Sequence, residues 1–263
     1  MKEFNDKVVL ITGTGGQVGR VAAQMFALAG AKVLGCDIAT EPAEETCRRV
    51  NEMGGEMQSL APLDLANPVE AQRWVDEAIA LWGRIDVLFH IAAGIAIAPF
   101  NEASIEHWDL TIRNELTIAY VASRAVWPHM LKQKKGVIVC LSSIAGHLEL
   151  AGFPAVAHGA ANAGLQALTR MLAAQGAPHG IRAVSISPGL IANPDALSSP
   201  TLDEYGLPIA RPLWRHAPLG RPARAAEIVE TALFIASDRA SYITATDIAV
   251  DGGMSGIIWN SKV

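Results

Sequence analysis

Thr12-Gly13-Thr14-Gly15-Gly16-Gln17-Val18-Gly19 is the stretch that decides the fold. It follows an apolar run, Val8-Val9-Leu10-Ile11, and opens a helical segment expected from about Gly19 to Ala29. Glycines at 13, 16 and 19 let a strand-to-helix turn tighten and let backbone N–H groups come close to a pyrophosphate. The helix N-terminus then faces the negative charge. A glycine triplet alone is weak evidence. Its position between a first strand and a first helix, with Asp37 ending a second strand, makes it specific.

The same rhythm continues outward from that turn. Short apolar runs at 31–36, 57–63, 87–92, 136–141, 182–187 and 247–250 alternate with helix-length amphipathic segments. Fully apolar strands separated by helices predict a parallel sheet covered on both faces. The expected fold class is α/β, a Rossmann-like doubly wound sheet of seven strands forming one domain over residues 1–263. Ligands of such sheets lie beyond the C-terminal strand ends. The stretch from Asn193 to Pro218 breaks the rhythm, with five prolines and no clear period. A loop that long is expected to be a substrate lid.

Composition narrows the function. A chain of 263 residues, about half of them apolar, has ample material for one core. The net charge of -5 comes from mixed signs, so there is no basic footprint for nucleic acid. No apolar run is long enough to span a bilayer. The polar start, Met1 to Lys7, does not read as a signal peptide, so a cytoplasmic location is expected. Cys36, Cys47 and Cys140 are odd in number and lack metal-ligand spacing. They read as reduced thiols, and no metal site is expected.

Asp37 lies at the end of the second strand, where a carboxylate accepts hydrogen bonds from ribose hydroxyls and repels a 2′-phosphate. No Arg or Lys occupies positions 14 to 17. The expected cofactor is therefore NAD rather than NADP, held by Gly13, Gly15, Gly16, Gln17, Val18, Gly19 and Asp37.

Over nearly its whole length the chain resembles the short-chain dehydrogenase/reductase family, single-domain type. The glycine turn is similar, although Gln17 stands where most single-domain members carry a glycine. Asp64-Leu65 matches the adenine-contacting pair after the third strand. The family's Asn-Asn-Ala-Gly segment is replaced by His90-Ile91-Ala92-Ala93-Gly94, which puts Ala92 beside the cofactor. Pro188-Gly189, with Ile191 just after, matches the segment that approaches the nicotinamide, and the family's following threonine appears as Asn193. The segments 240–244 and Val250-Asp251-Gly252-Gly253 fit as well.

The family's catalytic set is a serine, a tyrosine, a lysine and a helix asparagine. The resemblance maps these onto Ser143, His158, Asn162 and Glu115, with Asn114 beside Glu115. A one-residue slip would restore the asparagine. Tyrosine titrates near 10 and needs a cation to lower it, whereas histidine titrates near 6.5 unaided. The two substitutions therefore agree with each other. His158 is expected as the acid/base, Ser143 as a donor to the substrate oxygen, and Asn162 as a partner of the ribose. Glu115, if inward, would orient His158. Alcohol oxidation is then expected to fall below about pH 6.5.

Leu197, Leu202, Tyr205, Leu207, Ile209 and Trp214 in the lid, with Leu148, Leu150, Phe153 and Val156 before His158, suggest a hydrophobic or cyclic secondary alcohol or ketone. The resemblance implies a homo-oligomer, tetramer or dimer. Two other readings stand beside this one. One is a non-redox lyase- or dehalogenase-like enzyme on the same scaffold. The other is an inactive dinucleotide-binding regulator.

Overall fold

A computed structural model describes residues 3–148, 153–192 and 216–257. Seven strands, β1 (Val8–Thr12), β2 (Lys32–Cys36), β3 (Glu56–Leu60), β4 (Val87–His90), β5 (Gly136–Leu141), β6 (Ile181–Pro188) and β7 (Thr246–Val250), form one sheet. Their order is β3-β2-β1-β4-β5-β6-β7, and every adjacent pair is parallel. This is the doubly wound α/β class expected from the sequence. The order reverses between β1 and β4, so a crevice opens there at the C-terminal strand ends.

The helices cover both faces. Phe26 of α1 (Gln17–Leu28), Val50 of α2 (Thr40–Glu52) and Ile228 of α7 (Ala225–Ala236) pack with Val9, Ile11 and Phe89 on one side. Trp74 of α3 (Pro68–Trp82), Ala122 of α5 (Ile118–Gln133) and Leu165 of α6 (Val156–Gly176) pack with Leu10, Leu88 and Ile138 on the other. Successive strand residues point to opposite faces, so burial on both explains why the strands read as unbroken apolar runs.

Among the boundaries that differ from the sequence reading, three border the crevice. Helix α1 begins at Gln17, two residues before Gly19. Strand β3 stops at Leu60 rather than reaching Asp64, because Pro62 has no N–H to continue the ladder. Strand β4 ends at His90, and 91–92 leave the sheet to bond Thr12. The expected lid falls almost wholly on residues 193–215, outside the described residues, as does Leu150.

Candidate active site

Between α4 (Ile105–Ile112) and α5 the chain makes a π-helical turn, Arg113–Thr117. The extra residue rotates the helix face locally and directs Glu115 inward, where it is 5 % exposed. Neighbouring Asn114 instead packs on Gly94 at the cleft wall. The inward position on this helix is therefore a carboxylate.

Three side chains meet there. His158 Nδ1 lies 2.8 and 3.0 Å from the two oxygens of Glu115. Asn162 Nδ2 donates to Glu115 Oε2 at 3.2 Å and to the backbone oxygen of His158 at 2.9 Å. His158 and Asn162 are one helical turn apart on α6, which aligns them on one face. A carboxylate only accepts, so Nδ1 of His158 carries a hydrogen and Nε2 is the nitrogen left to exchange a proton. Phe153 packs edge-on against the ring, with centroids 6.3 Å apart.

Asn162 is bound into the same cluster. Both of its N–H groups are used within this cluster, and only Oδ1 makes no hydrogen bond among the described residues. Ser143 sits just past β5 and caps a short 3₁₀ turn, accepting the Ala145 N–H at 3.1 Å. Its hydroxyl hydrogen remains free to donate. Gln166 holds this loop from below, donating to Ser143 O, Ser142 Oγ and Ser187 Oγ at 3.1 to 3.2 Å.

A cleft of about 570 Å³ runs along the strand ends. It is lined by Gly13, Gly15, Gly16, Gln17, Val18 and Gly19, then by Asp37, Asp64, Leu65 and Ala92. The turn is as tight as three glycines require. Gly13 adopts φ +72°, and a Cβ on Gly19 would stand 1.9 Å from Gly13 O. Helix α1 has no side-chain cap and no acidic residue in its first turn. Its leading N–H groups are thus left for an anion, which fits a pyrophosphate.

Asp37 reaches into the cleft, its two oxygens accepting Gly15 N–H and Ala39 N–H at 2.8 Å each. Asp64 accepts from Ala66 N–H and pairs with Arg113. Arg113 was not legible as a site residue, because its partner is 49 positions away. Pro188, Gly189 and Ile191 do not line this cleft. Gly189 packs closely on β7's end, where a Cβ would come 3.0 Å from Asp251 Cα, and Ile191 bridges to Ala223.

Thr12 ties the two sides of the crevice together. Its Oγ1 accepts the Ile91 and Ala92 N–H groups at 2.8 and 2.9 Å, so its hydrogen is donated to His90 Nδ1 at 3.1 Å. The hydrogen of His90 is then on Nε2, which is buried without a partner. Burial pushes the His90 imidazole down to about 4. A buried neutral histidine here is a packing residue that anchors the glycine turn. Burial likewise pushes the Cys140 thiol up to about 11, and Cys36, Cys47 and Cys140 are all free. No group of metal-ligating side chains occurs among the described residues, and no helix there is long and apolar enough to cross a membrane.

A nucleotide-binding crevice at the switch point of a seven-stranded parallel sheet defines a Rossmann-type dinucleotide-binding protein. A family model described as enoyl-(acyl carrier protein) reductase matches residues 15–255. Cyclopentanol dehydrogenase of Comamonas sp. is 34 % identical over 96 % of this chain and 98 % of its own length. A solved structure of a short-chain dehydrogenase/reductase from Burkholderia xenovorans superposes with a TM-score of 0.89 at 28 % identity, covering 98 % of this chain and all of that one. A 7α-hydroxysteroid dehydrogenase solved with NADH and 7-oxo glycochenodeoxycholic acid superposes with a TM-score of 0.85 at 26 % identity, covering 95 % of each chain. The chain belongs to the short-chain dehydrogenase/reductase family and is an oxidoreductase of that type with a nicotinamide dinucleotide site.

Proposed function

We propose that this protein is an NAD-dependent dehydrogenase that interconverts a secondary alcohol and a ketone, with His158 as the acid/base. The observation that carries this reading is the Glu115–His158 pair. A carboxylate bonded to Nδ1 fixes the tautomer, orients the ring and stabilises the imidazolium formed when Nε2 takes a proton. In this reading His158 and Asn162 stand at the family's tyrosine and lysine positions. Ser143 donates its hydroxyl hydrogen to the substrate oxygen, and His158 removes or returns the proton on that oxygen. When bound, the nicotinamide supplies the hydride acceptor or donor.

Gly13 to Gly19 would hold the pyrophosphate, Asp37 the adenosine ribose, and Asp64 and Leu65 the adenine. Ala92, Pro188, Gly189, Ile191 and the Oδ1 of Asn162 would border the nicotinamide half. Asp37 favours NAD over NADP, because a 2′-phosphate would meet its carboxylate. Phe153 and the resemblance to a cyclopentanol dehydrogenase favour a hydrophobic or cyclic substrate. A homo-oligomer is part of the same reading.

The test is a screen of secondary and cyclic alcohols for NAD reduction, with His158→Ala as the control. Turnover that vanishes in His158→Ala, while cofactor still binds, supports the reading. Cofactor binding with no alcohol oxidised would favour a non-redox enzyme or a regulator.

A further inference from the structure

We infer that the buried charge of Glu115 sets this site to prefer the oxidised over the reduced nicotinamide cofactor, an inference that rests on the dehydrogenase reading above. Glu115 is 5 % exposed, and its hydrogen-bond partners are His158 and Asn162. Neither carries charge when the imidazole is unprotonated. Among the described residues no lysine or arginine pairs with Glu115. Arg113, two positions away, is turned to Asp64 and Asn114. With His158 neutral, the cluster therefore holds one negative charge and no counter-cation.

Glu115 does not itself line the cleft, but in the dehydrogenase reading its partner His158 stands beside the reacting carbon, so the charge lies behind the wall of the nicotinamide half. Asn114 and Ile118 flank Glu115 on the same run of helix, and both line the cleft with Leu141 at the end of β5. The oxidised ring is a cation and the reduced ring is neutral, while the rest of the dinucleotide is the same. A fixed carboxylate in a poorly solvated wall favours the cationic ring.

The charges balance through the proposed reaction. Alcohol oxidation sends a hydride, with its two electrons, from the carbinol carbon to the nicotinamide ring, and sends the hydroxyl proton to His158 Nε2. The alcohol is oxidised and the ring reduced. The positive charge lost by the ring reappears on the imidazole, so the charge compensating Glu115 is the same before and after. The proton then leaves to solvent, and the site is again short of a cation.

The test is calorimetric titration of the whole protein with NAD⁺ and with NADH at about pH 8.5, above the ordinary imidazole range. The quantity read is the Kd for NADH divided by the Kd for NAD⁺. Glu115→Gln, which keeps the shape and removes the charge, is expected to lower that ratio roughly tenfold. Asn162→Lys, which adds the missing cation beside Glu115, is expected to lower it in the same direction. If Glu115→Gln fails to fold by circular dichroism, Asn162→Lys decides. A ratio unchanged to within about twofold in the folded variants overturns the inference, and the dehydrogenase reading still stands if turnover depends on His158. Failure of the wild-type protein to bind either form overturns both.

Discussion

His158 Nδ1 stands 2.8 Å from Glu115 Oε1 across 43 residues of sequence, joining the helix after β4 to the helix after β5. The contact commits Nδ1 to a carboxylate and leaves Nε2 without a hydrogen-bond partner among the described residues. In the proposed reading Glu115 acts through His158, as a positioning residue. Glu115→Gln is expected to lower kcat by roughly 10²-fold or more, within the range of general acid–base contributions. His158→Ala is expected to remove turnover. A carboxylate with a merely structural role would change the unfolding midpoint and leave kcat per folded molecule unaltered.

Gly19→Ala places a methyl group 1.9 Å from Gly13 O, against backbone rather than a mobile side chain. The turn must open, and the N–H groups that face the cleft must move with it. The expected cost is about 1–3 kcal/mol of stability, together with loss of NADH quenching of the tryptophan fluorescence. Urea denaturation and a quenching titration measure the two effects separately.

Asp37→Ser removes the carboxylate that lines the cleft and holds the Gly15 and Ala39 N–H groups. Affinity for NAD is expected to weaken roughly tenfold, and affinity for NADP to weaken less or to improve, because the repulsion of a 2′-phosphate is gone. Parallel titrations with the two dinucleotides check this. An unchanged NAD-to-NADP ratio would remove Asp37 from the specificity argument.

His90 links stability to pH. Burial holds its imidazole near 4 in the folded protein, against about 6.5 in an unfolded chain. Between those values the unfolded state binds the proton and the folded state does not. Stability therefore falls as pH drops from about 6.5 toward 4, by an amount on the order of 3 kcal/mol from this group. Above pH 6.5 the group contributes no slope. His90→Asn, which keeps an acceptor for Thr12, is expected to flatten the curve in that window. Denaturation midpoints of both proteins at several pH values measure the difference.

The nucleotide end of the site was legible because its parts are local. The glycines, the helix they open and the strand before them lie within one short segment. Steric tightness and an uncapped helix end follow from glycine spacing alone. The apolar strand runs were equally readable, since burial on both faces removes any need for alternation. Boundaries slipped where a neighbour outside the segment intervened. Thr12, not any property of residues 91 and 92, takes their N–H groups away from β4.

The chemical centre was legible only as a set of residue types. The sequence named Ser143, His158, Asn162 and Glu115, but left Glu115 and Asn114 interchangeable by one position. The π-helical turn settled which of them points inward, because one extra backbone residue rotates everything after it. Asn162, expected beside a ribose, has its N–H groups spent on Glu115 and the His158 carbonyl. Arg113 joined the cleft through an ion pair that no local pattern announces. The sequence by itself determined the sheet, the crevice and the kind of ligand, because these follow from periodicity and from where glycine is tolerated. Only the tertiary structure decided the partner of each polar group, because hydrogen bonds between separate helices depend on helix rotation and packing, which one segment does not encode.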